Sequence, residues 1–380
     1  GDILLSYSFF VMMTYKPIVL LISQTYYHRF SNDLTNIATK ISKTGGSLEF
    51  VILLPSTPSN VGMENQKPTK KHGISKYDLN RITCAFASED LQFNFGDMRR
   101  LFGVVLTAPN FQWLHISWIG IDFPLFNPVK TKNHCFITNA AGSNAKPIAL
   151  SVLSAILAFN RGLDKWIRST VTQTWANRQL WPRRHDIAKQ KLLIYGFGAI
   201  GKELGRLAKG LDMYVIGVKR SITLTQEEIA QSECCDEIIP THELSNRIQT
   251  CDVVVITAPF NETTKNVFDK NMISNMKQNV IFINVGRGGI VDEMALAEAL
   301  NTNQIAGCYC DVFAVEPLPS SHPLWQCENI IISPHDSASC VDNAFRVQDG
   351  FVDNLYRYGT GKTLQNVQWS PGTGGSGSKL

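Results

Sequence analysis

The stretch KLLIYGFGAIGKELGRLAKGL, residues 191–211, limits the possible folds of this chain more than any other. A short apolar run ends in Gly196, two more glycines complete the spacing G-x-G-x-x-G, and a segment with helical apolar spacing follows at once. A strand that turns into a helix within two or three residues needs glycine's conformational freedom, and the helix then carries the chain back for a parallel crossover. The run MYVIGVKRS, residues 213–221, supplies the return strand. DVVVIT, NVIFINV, IAGCYCDV and NIIIS continue the alternation, so this half is predicted to be a doubly wound α/β unit.

The first half alternates in the same way. KPIVLLIS, SLEFVILLP, RITCAFAS, FQWLHIS and CFITNA are β-rich runs, separated by SNDLTNIATKISKTGG and FGDMRRLFGVVLTA with helical spacing. A second parallel sheet of about five strands is expected. NVGMENQKPTKKHGISK reads as a surface loop, and KPIALSVLSAILAFNRGLDKWIRS as one long helix leading into the second series. The fold class is therefore α/β, with two parallel-sheet domains in a chain of 380 residues.

Composition excludes several functions. The +4 formal charge is spread along the chain without basic blocks or interleaved aromatics, so no nucleic-acid partner is expected. The nine cysteines show neither CxxC pairs nor His/Cys ligand spacing, which predicts no metal site and free thiols in a reducing compartment. GDILLSYSFFVMM is apolar but too short to span a bilayer and lacks a basic leader, so no membrane association is expected and the first dozen residues read as an extension. After NVQW the chain becomes SPGTGGSGSKL, a Gly/Ser tail closing on Ser378-Lys379-Leu380. That tripeptide is a peroxisomal address, which makes the peroxisomal import receptor an expected partner; the location would be cytoplasmic if the tail is a tag remnant.

The chemistry begins at the glycines. Gly196 permits the tight turn, Gly198 lets a pyrophosphate approach the backbone, and the helix that opens at Ala199, Ile200 and Gly201 favours its negative charge. NAD sites place an acidic residue about twenty residues further on, at the end of the second strand. Lys219, Arg220 and Ser221 stand there instead, while Asp212 falls at the strand's opposite end. A carboxylate would repel an adenosine 2′-phosphate that a guanidinium and a hydroxyl can bind, so NADP(H) is the preferred cofactor and NAD(H) a possible one.

Three more residues lie just past candidate strands, where open α/β sheets bind ligands: Arg287 after INVG, Glu316 after CDVFAV and His335 after IIISP. A guanidinium can bind a carboxylate and polarise an adjacent ketone. An imidazole can exchange the hydroxyl proton, and a carboxylate touching that imidazole raises its pKa.

GFGAIGKELGRLAKGLDMYVIGVKRS, INVGRGGIVDEMALAEAL, IAGCYCDVFAVEPLP, HPLW and SPH together resemble the D-isomer-specific 2-hydroxyacid dehydrogenases, in particular the glyoxylate/hydroxypyruvate reductase-like members, with the resemblance running from Met13 to Trp369. It implies two Rossmann-like domains. One is a split, flavodoxin-like substrate (lid) domain over residues 13–145 and 341–370; the other is an inserted dinucleotide-binding domain over 146–340, and 371–380 form the tail. It implies that Arg287 binds and polarises a 2-oxoacid, that His335 is the acid/base and that Glu316 is its partner. Ile119 and Gly120 of ISWIGID would hold the substrate carboxylate through their amides. Asp311 would face the nicotinamide, and Ala258, Pro259, Thr264, Val285 and Gly286 would complete the cofactor site. The implied activity is NADPH-dependent reduction of glyoxylate or hydroxypyruvate to the D-2-hydroxyacid by a homodimer. The alternatives are an NAD-dependent lactate- or phosphoglycerate-type dehydrogenase and a dinucleotide-sensing corepressor. Two departures stand out: Leu150 where the family usually has Glu, and Asp336, expected to face solvent, where it tends to have an apolar residue.

Overall fold

The structure, a computed structural model, describes residues 17–54, 74–92, 94–118, 120–121, 124–132, 135–175, 186–222, 229 and 232–371. These divide into two units, one made by the residues up to Ser143 together with those from Val341 on, the other by Asn144–Cys340. The expected extension, most of the expected surface loop and the SKL tail lie outside the described residues.

The first unit opens with β1 (Ile18–Ser23), β2 (Leu48–Leu53), β3 (Cys84–Ala87), β4 (Trp113–Ile116) and β5 (Phe136–Asn139), all parallel. Every residue of β1, β3 and β4 is buried, as expected of strands covered on both faces. One cover is helix Ser31–Ser42, which turns Leu34, Ile37 and Ile41 inward at helical spacing. The other is helix Phe95–Thr107, begun by Asn94, whose side chain accepts from the Asp97 amide.

The second unit contributes β6 (Lys191–Tyr195), β7 (Tyr214–Lys219), β8 (Glu237–Pro240), β9 (Val253–Ile256), β10 (Val280–Asn284), β11 (Ile305–Cys310) and β12 (Ile330–Ile332). They form one parallel sheet in the order β12-β11-β10-β9-β6-β7-β8. The order reverses between β6 and β9, so the crevice at their carboxyl ends is where a doubly wound sheet takes its ligand. Helix Asn343–Gly359 and β13 (Val367–Trp369) then return to the first unit, whose order becomes β13-β5-β4-β3-β1-β2. Phe351 from that helix stacks on Phe86 of β3 at 4.1 Å between ring centroids.

The sequence reading differs from the structure in three places. The expected single long helix is two, Ala145–Arg161 and Leu163–Val171, because Gly162 adopts a left-handed conformation with φ 76° and closes the first. β8 and β13 were not anticipated, and β13 runs antiparallel to β5. All nine cysteines are free thiols. Among the described residues no helix is long and apolar enough to cross a membrane.

Candidate active site

The glycine turn sits at the switch point of the second unit's sheet. Gly196 has φ 100°, and a Cβ there would lie 2.5 Å from the Ala258 backbone, so only glycine lets the end of β6 meet the segment after β9. Thr257 Oγ1 donates to Gly196 O at 2.6 Å and ties the two segments together. Gly286 repeats the device on the far side, where a Cβ would come 2.7 Å from Ala258 O. Gly196, Ala258, Val285 and Gly286 are thereby brought side by side at the carboxyl ends of β6, β9 and β10.

Phe197, inside the glycine motif, folds inward and is 2% exposed. Gly201 and Gly217 leave room for its ring, since a Cβ at Gly217 would meet it at 2.6 Å. With that side chain buried, Gly198 and Ala199 form an exposed helix start that no side chain caps. The first amides of helix Ala199–Lys209 have no partner within the helix, which suits a diphosphate. Pro259 is exposed, but Thr264 turns its hydroxyl onto Pro259 O at 2.8 Å and so closes the 259–264 turn.

Lys219 ends β7, half-buried, and Arg220 and Ser221 follow, exposed, at the same edge of the sheet as the glycine turn. Gly196 and Phe197 both donate to Val218 O at 3.1 Å, which puts the basic pair next to that turn. Asp212 lies at the opposite end of β7, as expected from the sequence.

Arg287, Glu316 and His335 follow β10, β11 and β12, three neighbouring strands. His335 Nδ1 and Glu316 Oε2 are 2.8 Å apart. The other carboxylate oxygen, Oε1, accepts from the Phe313 amide at 2.9 Å. Burial works to raise the Glu316 carboxyl, but the hydrogen bonds from His335 and Phe313 and the charges of His335 and Arg287 outweigh it and hold it below the usual carboxylate range. Arg287 is exposed and donates from Nη1 to Gly286 O at 2.7 Å. Its backbone carbonyl is fixed by Asn284 Nδ2 at 3.1 Å. Gly288 brings the turn in tight, since a Cβ there would lie 1.9 Å from the Phe313 carbonyl carbon.

Asp311, which the family resemblance sets against the nicotinamide, is 2% exposed. Its Oδ1 accepts the Asp336 and Ser337 amides at 2.8 and 3.1 Å and the Ser333 hydroxyl, its Oδ2 accepts the Ser337 hydroxyl, and its backbone O accepts the His335 amide at 2.8 Å. Both oxygens are thus committed to the 333–337 loop, which holds His335 at φ 56°. Tyr309 joins through Ser333 at 2.9 Å. Asp336 is exposed and takes the Ser339 hydroxyl. In the first unit Gly120 is half-buried just after β4, and Ile119 lies outside the described residues.

Two residues with no role assigned from sequence belong to this arrangement. Glu293 Oε1 accepts the Ala314 amide at 2.7 Å, and its Oε2 lies 3.2 Å from His322 Nε2. Their motifs, VDE and HPLW, are visible in the sequence, but the contact between them is made only by the fold.

The sequence profile described as D-isomer specific 2-hydroxyacid dehydrogenase, NAD binding domain, matches residues 153–337. The chain is 30% identical to formate dehydrogenase 2, mitochondrial, of Oryza sativa subsp. japonica over 258 residues, 67% of this chain and 66% of that one. It is 27% identical to the glyoxylate reductase of Korarchaeum cryptofilum (strain OPF8) over 240 residues, 62% of this chain and 70% of that one. The fold is similar to the solved structure of a D-isomer specific 2-hydroxyacid dehydrogenase family protein from Aeromonas salmonicida subsp. salmonicida A449, with a TM-score of 0.66 and 22% identity, covering 93% of this chain and 98% of that one. The chain spans 65% of the length of a further relative, the mitochondrial formate dehydrogenase of Solanum tuberosum. With its match lying in the unit that carries the glycine turn and the His335–Glu316 pair, the chain belongs to the D-isomer-specific 2-hydroxyacid dehydrogenase family.

Proposed function

We infer that the protein reduces a small 2-oxoacid, glyoxylate or hydroxypyruvate, to the D-2-hydroxyacid with NADPH. The observation that carries this reading is the His335–Glu316 pair at 2.8 Å, set with Arg287 past three adjacent strands of the sheet that holds the glycine turn. Gly196, Gly198 and the open amides from Ala199 to Gly201 hold the diphosphate, and Lys219, Arg220 and Ser221 hold the 2′-phosphate. When bound, the dinucleotide supplies the hydride to the carbonyl carbon.

With Nδ1 committed to Glu316, Nε2 of protonated His335 is the nitrogen left to give a proton to the carbonyl oxygen. Glu316, held in its charged form, stabilises the imidazolium until that transfer. Arg287 binds the substrate carboxylate and offsets the negative charge that develops on the oxygen. In the reverse direction the neutral imidazole accepts the hydroxyl proton.

Two wider features of the reading have support of their own. Helix Leu163–Val171 and the residues after it expose Ile167 at 66%, Val171 at 80% and Trp175 at 95%, an apolar face that a second copy of the chain covers in a homodimer. The tripeptide Ser378-Lys379-Leu380 is the basis on which we propose the peroxisome as the protein's location.

The test is a steady-state comparison of NADPH and NADH oxidation by the purified protein with glyoxylate, hydroxypyruvate, pyruvate and phosphohydroxypyruvate, and of NAD reduction with formate. Turnover of the first two with NADPH preferred is the expected result. NADH-driven turnover of phosphohydroxypyruvate or pyruvate would favour the NAD-dependent dehydrogenase reading, and reduction of NAD by formate or no turnover at all would overturn the proposal.

A further inference from the structure

A second glutamate–histidine pair stands behind the first and is built on the same plan. Glu316 uses one oxygen on the Phe313 amide and the other on His335; Glu293 uses one on the next amide, Ala314, and the other on His322. The rear pair is the more enclosed, with side-chain exposures of 13% for Glu293 and 16% for His322, against 36% for Glu316 and 48% for His335. His322 Nδ1 accepts the Leu324 amide at 3.4 Å, which leaves the Nε2 proton to be donated to Glu293. Burial pushes the Glu293 carboxyl above its usual value, the Ala314 amide and His322 pull against that, and Glu316 adds to it through like charge.

We propose that Glu293 and His322 are positioning residues for the acid/base: Glu293, held by His322, grips the Ala314 amide and so fixes the Phe313–Ala314 backbone that carries Glu316 to His335, and the Glu293 carboxylate supports the imidazolium. The proposal rests on the reading of His335 as the acid/base. Arg287, from the turn after β10, faces Glu316, and His335 itself has Asp336 beside it in the chain and Asp311, whose backbone O accepts its amide at 2.8 Å. Asp292, next to Glu293, is occupied as the helix cap, accepting the Met294 and Ala295 amides.

Glu293→Gln keeps an acceptor for the Ala314 amide and removes the charge. His322→Leu leaves a Glu293 oxygen without its donor, whereas His322→Gln restores a neutral donor. The C2 proton resonance of His335 in the full chain, identified by its loss in His335→Gln, reports the titration midpoint without any need for turnover. Glu293→Gln and His322→Leu are expected to lower that midpoint, with His322→Gln returning it toward the wild-type value. The pH profile of kcat should move the same way while KM for the dinucleotide stays put.

An unmoved midpoint in folded Glu293→Gln, or in His322→Leu should the first variant not fold, would overturn the proposal. A His322→Gln midpoint as low as that of His322→Leu would also overturn it. Absence of 2-oxoacid turnover in the wild type would instead refute the proposed function, and the resonance would still decide the positioning role.

Discussion

His335 is held by its backbone as well as by its carboxylate partner. A left-handed φ of 56° is uncommon for a side-chain-bearing residue, and here the Asp311 network maintains it. Replacing His335 with Gln should lower kcat by about 10²-fold or more while dinucleotide binding, followed by fluorescence, is unchanged; wild-type turnover would contradict the acid/base role. Arg220→Ala should raise KM for NADPH well above its effect on KM for NADH, and equal changes would argue against a 2′-phosphate contact.

A histidine in the other unit behaves differently. Burial pushes His115 down to about 3, so it stays neutral in the fold. Below the unfolded value of about 6.5 the unfolded chain takes up a proton that the folded one refuses, so stability is intact above that pH and falls by at most about 1.4 kcal/mol per unit below it. Urea unfolding at pH 7.5 and 5.5 should show the loss, and His115→Asn should flatten it. At this scale the sequence was legible where a residue lies in the loop that follows a strand, as Arg287, Glu316 and His335 do. It was not legible where distant segments meet: the bonds from Asp311 to the His335 loop and the Glu293–His322 contact are made only by the fold.

Among the elements, the turn after β10 shows how little room the site has. A Cβ at Gly288 would stand 1.9 Å from the Phe313 carbonyl carbon and 2.1 Å from the Ala314 nitrogen, both of them backbone atoms that cannot rotate away. Gly288→Ala should destabilise the second unit by roughly 1–3 kcal/mol and reduce kcat further than that loss explains, because the displaced segment carries both glutamate grips; urea midpoints and kcat measured together test this. Long apolar runs announced most strands. β8 did not stand out because EIIP has only two apolar residues between Glu237 and Pro240, and β13 is three residues long. The helix break at Gly162 had its signals, a glycine with Asp164 in the next first turn, but an apolar period that continues across it hides them.

For the molecule as a whole, the exposed side chains of helix Leu163–Val171 are the feature a solution experiment can read directly. If that face is the homodimer contact, Ile167→Lys combined with Val171→Lys should convert the protein to a monomer in sedimentation experiments; an unchanged dimer would move the contact elsewhere.

The order of the two units along the chain also bears on synthesis. Asn144–Cys340 is continuous, so once Cys340 has left the ribosome that unit has every strand it needs. The first unit begins earlier yet finishes later, because helix Asn343–Gly359 and β13 are made only after the intervening unit. Until they arrive, the Phe86 face lacks its stacking partner and the β5 edge is open, an interval in which a nascent chain is exposed to strand pairing with its neighbours. Vectorial synthesis thus leaves the unit begun first as the last to close.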